Sequence, residues 1–240
     1  MIRDSVLTHS IHLLKRVPVG VSYVTTDKKS VDDIIVIRSW PGGNDSMKTP
    51  TQIAYAEENR HLDIPLSEDV WGYKVKPNMV SCSWTKLLLD NHTPTTQNDD
   101  PSLIGRMNNA IYRLPPNKNA QIVCEDFLRM IYRHTEAVLI KSLGTKTFEM
   151  TPMDCWLTVP AIWSDSAQAL TRSAAQAAGF GSREMDSLRV IAEPEAAAIA
   201  TFAKYLQPEV INPPKVSFHD LRPSMESSGL LIICSLAKWY

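Results

Sequence analysis

The chain lacks any long apolar run. Val6 to Leu14 and the stretch from Gly229 to Tyr240 are its notable apolar segments. Both are too short to span a bilayer. No small-residue cleavage site accompanies the first, so a signal peptide is not expected either. An excess of one charge is also missing. Twenty-five Lys and Arg stand against 26 Asp and Glu, for a net charge of −1. That removes the electrostatic case for nucleic acid or an acidic membrane as a partner. Cysteine is sparse, and Cys82, Cys124, Cys155 and Cys234 have no paired metal-site spacing. They read as buried thiols of a reducing compartment, cytoplasmic or nuclear. Nine glycines against 16 prolines leave little glycine-rich loop. Pro41-Gly42-Gly43-Asn44 lacks the lysine and helix of a phosphate loop and reads as a turn. His9, His12, His61, His92, His134 and His219 are scattered. His9 and His12 share a possible helical face but have no third ligand, so no metal site is expected. There is no nucleophile elbow and no internal repeat.

What is present is an ordinary globular composition, 44% apolar over 240 residues, sufficient for a core and for one or two domains. Early strands are expected at Val21 to Val24, Ile34 to Arg38 and Gln52 to Tyr55. Thr93 to Gly105 is dense in Asn, Asp, Pro and Thr and reads as a loop. Gln121 to Leu143 reads as a long helix, since Val123, Phe127, Met130, Ile131, Val138 and Leu139 mostly recur at helical spacing.

The stretch from Cys155 to Lys204 is the most informative. Trp156 to Val159 is short and apolar, bounded by Pro160, and predicts a buried strand. Ser164 or Asp165 can cap the Ala-rich helix that follows, and Gly179 suits the left-handed position just past its end. Leu188 to Ala192 is the second strand of a parallel crossover unit. Pro194 suits a first helical turn and biases Glu193 toward extended backbone. The spacing therefore predicts Glu193 as the last residue of that strand, its carboxylate at the lip of the sheet where open α/β folds bind ligands.

Two motifs carry a resemblance. Thr-Val-Pro-Ala-Ile-Trp-Ser-Asp-Ser (158–166) resembles the Thr-Val-Pro-Ala-Tyr-Phe-Asn-Asp-Ser signature of the seventy-kilodalton heat-shock (DnaK-type) chaperones. Arg-Val-Ile-Ala-Glu-Pro-Glu-Ala-Ala-Ala-Ile-Ala (189–200) is similar to their Arg-Ile-Ile-Asn-Glu-Pro-Thr-Ala-Ala-Ala-Ile-Ala. Lys48-Thr49-Pro50-Thr51 and Trp71-Gly72-Tyr73 resemble the family's Thr-Thr-Pro-Ser segment and Ile-Gly-Asp turn. Trp84 to Asp90 looks like the Trp-Phe-Lys-Leu-Leu-Leu-Asp of divergent fungal relatives. The resemblance implies the first half of an actin-like (ribonuclease H-like) ATPase domain, an α/β lobe with a mixed sheet flanked by helices. It covers residues 20–208, with 1–19 and 209–240 expected to be unrelated segments.

The resemblance also implies roles. ATP and magnesium are the cofactors, and co-chaperones are partners. Glu193 matches the glutamate that orients the attacking water and touches the magnesium shell. Lys86 matches the lysine on the transferred phosphate. Gly20, Thr158 and Pro160 match the end of the first phosphate loop and a strand-end pair. Leu13, Lys15, Arg16 and Val17, however, stand where the family has the Asp, Gly and two Thr of that loop. A phosphate cradle needs small residues and free backbone N–H groups. Nothing after Pro208 resembles the second loop. The expectation is thus a nucleotide-binding fragment with impaired ATPase activity, the alternative being a non-catalytic interaction fragment.

Overall fold

A computed structural model of the protein describes residues 18–25, 33–63, 65–83, 89, 113–198 and 230–235. The fold is mixed α/β, with a six-stranded sheet, a three-stranded sheet, and helices packed against a shared core.

The large sheet has the order β2-β1-β9-β7-β8, with β3 also paired to β1. Its strands are β1 (Pro18–Thr25), β2 (Ile35–Val36), β3 (Thr49–Pro50), β7 (Met153–Val159), β8 (Ser187–Ala192) and β9 (Leu230–Ser235). β1 alternates strictly: Val19, Val21 and Tyr23 are buried and the residues between them half-exposed, the period-2 pattern of a strand with one face on a core. β7 pairs in parallel with β8 from Asp154↔Ser187 to Val159↔Ala192. β9 pairs in parallel with β7 and antiparallel with β1. This strand belongs to the stretch that the sequence divides off at residue 209, and it is the middle strand of the sheet.

Helix α1 (Ala120–Leu143) starts where Asn119 accepts a hydrogen bond from the Ile122 N–H at 2.9 Å. It buries Val123, Cys124, Phe127, Leu128, Ile131, Thr135 and Leu139 along one stripe. A short α2 (Thr145–Met150) follows, and Phe148 is its buried residue. Helix α3 (Asp165–Ala178) is capped by Ser164, whose hydroxyl accepts from Ala167 N, while Asp165 opens the first turn. It ends at Gly179, φ 119°. A Cβ there would lie 2.8 Å from the Tyr132 ring, so the glycine also lets α3 close onto α1. Ala167, Ala174, Ala175 and Ala178 of α3 join β1, β7, β9 and α1 in one core.

The second sheet runs β5-β4-β6, with β4 (Gln52–Ala54), β5 (Val70–Trp71) and β6 (Cys82–Ser83). Contacts with α1 hold it and the neighbouring loops in place. The Tyr55 hydroxyl donates to Asp126 at 3.0 Å, Trp71 meets Phe127 edge-on, and His134 packs against Trp40 and Trp71. His134 Nε2 lies 2.7 Å from the Ser39 carbonyl.

Several expectations shift by a few residues. The strand expected over Ile34 to Arg38 forms at Ile35–Val36, both exposed on the sheet edge, and the Ile37 N–H also donates to the Val21 carbonyl at 2.9 Å. Pro41-Gly42-Gly43-Asn44 is a turn, closed by the Gly43 N–H on the Trp40 carbonyl, with Gly42 at φ 74°. Cys82, Cys124 and Cys155 are buried and not joined in disulfides. Burial pushes the Cys82 thiol up to about 11 and the Cys155 thiol up to about 12, so both stay protonated. The expected loop over 93–105 and the scattered His9, His12, His92 and His219 lie outside the described residues.

At the end of the sheet where β7 begins, Arg183 ties three segments together. It forks onto Asp186 and donates to the carbonyls of Phe148 and Thr151 at 2.8 and 2.7 Å. The Asp186 side chain is fully buried and also accepts from Met153 N. Arg183→Ala leaves that carboxylate buried and unpaired. The expected loss is about 3 kcal/mol in urea unfolding. A loss within 0.5 kcal/mol, the ordinary surface range of about ±0.5, would show the clamp to be dispensable.

Candidate functional site

The site is the lip where β7, β8 and β9 end. β7 runs out through Thr158, buried, and Val159 into Pro160. β8 stops at Ala192, and Glu193 opens a helical turn over 193–198. Glu193 is therefore the first residue of that turn rather than the last of the strand. Pro194, which tolerates a first helical turn, lets the helix begin directly behind it. One Glu193 carboxylate oxygen is shut off from solvent, although the residue as a whole is half-buried. Ser235 of β9 stands between Gly20 and Thr158 in register, so the β1 end of this lip is one strand away from the β7 end.

Lys48 completes the lip. It sits just before β3, and its Cγ lies 3.5 Å from where a Cβ on Gly20 would be. The Lys48 carbonyl accepts hydrogen bonds from Ser46 Oγ at 2.8 Å and from the Tyr73 hydroxyl at 2.9 Å, which fixes its backbone. Burial lowers the pKa of the Lys48 ammonium, and the Glu193 charge opposes that shift. A lysine and a carboxylate from segments far apart in sequence thus share the mouth of the sheet, near enough for their charges to interact.

Two further features shape the floor. Thr49 is fully buried, and its hydroxyl has no hydrogen-bond partner among the described residues. Gly72 lies against it at φ 56°, and a Cβ there would be 2.4 Å from Thr49 Oγ1. No side chain larger than hydrogen fits between the Trp71 turn and β3, which explains the glycine in Trp71-Gly72-Tyr73.

The sequence-derived site residues separate into two groups. Glu193, Thr158 and Gly20 come together at one lip, with Pro160 at its rim. Gly20 lies inside β1, opposite Ser235, rather than in a loop. Its backbone belongs to the sheet ladder, so it does not form the loop of free amides that grips phosphate. Lys86 lies outside the described residues. Sequence reasoning missed Lys48. Its one signal was its place at the head of the Lys48-Thr49-Pro50-Thr51 motif, which says nothing about what faces it. Among the described residues, no three His, Cys, Asp or Glu side chains form a group able to hold a metal ion. No helix among them is long and apolar enough to cross a membrane.

No family model matches the chain. Human heat shock 70 kDa protein 12A is 28% identical over 189 residues, which cover 75% of this chain and 26% of that protein. The chain spans about a quarter of the length of the curated relative it matches. This likeness supports a distant relationship to the seventy-kilodalton heat-shock proteins and their actin-like ATPase fold. It does not reach a DnaK-type or a fungal assignment.

Two measurements test the lip. A Lys48 pKa lowered by burial means that the unfolded chain holds that proton more tightly. Stability linked to Lys48 therefore grows as pH rises from its folded pKa toward the ordinary lysine value of 10.5. In Glu193→Gln the supporting charge is gone, so the Lys48 midpoint falls further, as read by NMR of ¹³C-methylated lysines; an unchanged midpoint contradicts the pairing. Gly72→Ala is expected to cost about 2 kcal/mol or more through backbone strain and the clash with Thr49. In a Thr49→Ala background that cost shrinks to the backbone part, and equal costs in both backgrounds would rule out the contact.

Proposed function

We propose that this chain is a nucleotide-binding fragment of an actin-like ATPase domain, of the DnaK-type chaperone line at its finest reading. The observation that carries it is the gathering of Thr158 and Glu193 at the lip where the parallel strands β7 and β8 end, with Lys48 beside Gly20 on the same edge of the sheet. Ligands of open α/β sheets bind at this end. The Lys48 ammonium suits a phosphate oxygen, and Glu193 suits a water that must be oriented for attack. Lys86 is a second cation for the same phosphate. Thr158 and Pro160 line the strand end. The lobe in this reading is residues 20–208, its sheet completed by β9.

Magnesium and ATP fit this lip only in part. Glu193 offers one carboxylate for the water shell of a magnesium ion brought in by the nucleotide. The residues that would wrap the triphosphate are the weak point. Gly20 is committed to β1, and Leu13, Lys15 and Arg16 stand where small residues and hydroxyls are needed. Phosphoryl transfer relies on several positioned groups acting at once. One acid and one or two lysines do not supply that set. The second reading, a non-catalytic interaction fragment, draws its support from the same substitutions.

Isothermal titration of the chain with magnesium-ATP decides between them. Binding is expected to be weaker than about 1 mM, with hydrolysis at the buffer background. Lys48→Met should abolish the residual heat. Micromolar affinity would overturn the impaired-fragment reading. Residual binding indifferent to Lys48→Met would favour the interaction fragment.

A further inference from the structure

We propose that the cleft between α1 and the segment around β5 is a binding site for a free apolar α-amino acid, held as its zwitterion. The cleft has a volume of ≈ 420 Å³. Small-molecule sites have volumes of about 300–1,000 Å³. Met130, Arg133 and His134 line it from α1, at positions i, i+3 and i+4 of one helix face. Glu68, Asp69, Trp71 and Lys74 line it from the other side. Both walls are fixed by packing. His134 Nε2 meets the Ser39 carbonyl at 2.7 Å, and Trp40, Phe127 and His134 pack against the Trp71 ring. The cleft shares no lining residue with the lip, so the proposal is independent of the nucleotide reading.

Charge selects the ligand. Lys74 lies 3.7 Å from Glu68, and the two cancel. Asp69 accepts from Ala56 N at 2.8 Å through one carboxylate oxygen, and its other oxygen has no partner among the described residues. Arg133, exposed on the opposite wall, has no carboxylate partner among them either. A lone anion would meet Asp69, and a lone cation would meet Arg133. A ligand carrying both charges satisfies both walls. The Arg133 guanidinium forks onto its carboxylate, and Asp69 accepts from its ammonium. Trp71 adds a donor. It is 7% exposed, no described residue accepts from its indole N–H, and that N–H is not sealed from solvent as the Trp156 N–H is. A buried donor ordinarily has a partner, and a carboxylate in the cleft supplies one. Trp71, Met130 and His134 leave an apolar surface for the side chain.

Titration of the full chain with L-phenylalanine, followed by ¹H–¹⁵N NMR of its six tryptophan indoles, tests the site. The signal missing from Trp71→Phe is expected to move, with a midpoint near about 1 mM. Should Trp71→Phe fold poorly, nuclear Overhauser contacts with Phe127 assign that signal instead. Arg133→Gln and Asp69→Asn are each expected to raise the midpoint at least about tenfold. Arg133 is exposed, and Asn at 69 keeps an acceptor for Ala56 N, so neither change disturbs the fold. N-acetyl-phenylalanine lacks the cation and phenylalanine amide lacks the anion. Both are expected to bind at least about tenfold more weakly than phenylalanine. An unchanged midpoint in either variant overturns the proposal, as does equal binding of either analogue. So does the absence of any shift up to about 20 mM phenylalanine.

Discussion

The fold depends on backbone hydrogen bonds made across the middle of one sheet. β1 and β7 lie far apart in the chain and present their edges to the same strand, β9. A buried N–H or C=O left unpaired there costs free energy comparable to a lost hydrogen bond. Two buried edges would leave a row of such groups, so a strand between them is a requirement and not an embellishment. Ile232 of that strand is buried at 2% exposure in the core shared by α1 and α3. The helices and the ladder are thereby parts of one unit.

The lip inherits its geometry from that ladder. Ser235 is one strand from Gly20 and one from Thr158, so the spacing between the two banks of the site is the width of a single strand. β3 pairs with Pro18 and Val19 at the start of β1, and this carries Lys48 to the same edge. The β7–α3–β8 crossover carries Glu193 there from the other bank. The lip brings residues 48 and 193 to one edge of the sheet, and no local rule could have linked them. Burial disfavours the Lys48 ammonium and Glu193 restores part of that loss, which is how a cation is kept at a half-buried position.

Read as the nucleotide site we propose, such a lip holds few groups for phosphoryl transfer. The charge of a transferring phosphate is stabilised by several donors placed beforehand. Here a strand takes up the glycine that would have offered its amide. The distant likeness to a heat-shock 70 kDa protein extends over a quarter of that protein, so the likeness itself covers a part.

Local chemistry made much of this legible. The alanine helix with Ser164 before it and Gly179 after it, the apolar strands on either side, the α1 stripe and the Pro41-Gly42 turn all follow from capping, periodicity and allowed φ within a few residues. Glu193 was legible for the same reason, since Pro194 and the strand before it set its place. Lys48 was not, because a lysine's neighbours across a sheet depend on pairing between distant segments. Gly20 was legible as a glycine and misleading as a loop residue, since only strand pairing decides whether its backbone is free. The sequence by itself determined the elements, their caps and one acid at a strand end. Tertiary structure decided which strand fills the centre of the sheet and which cation meets that acid, because both depend on contacts that sequence distance does not encode.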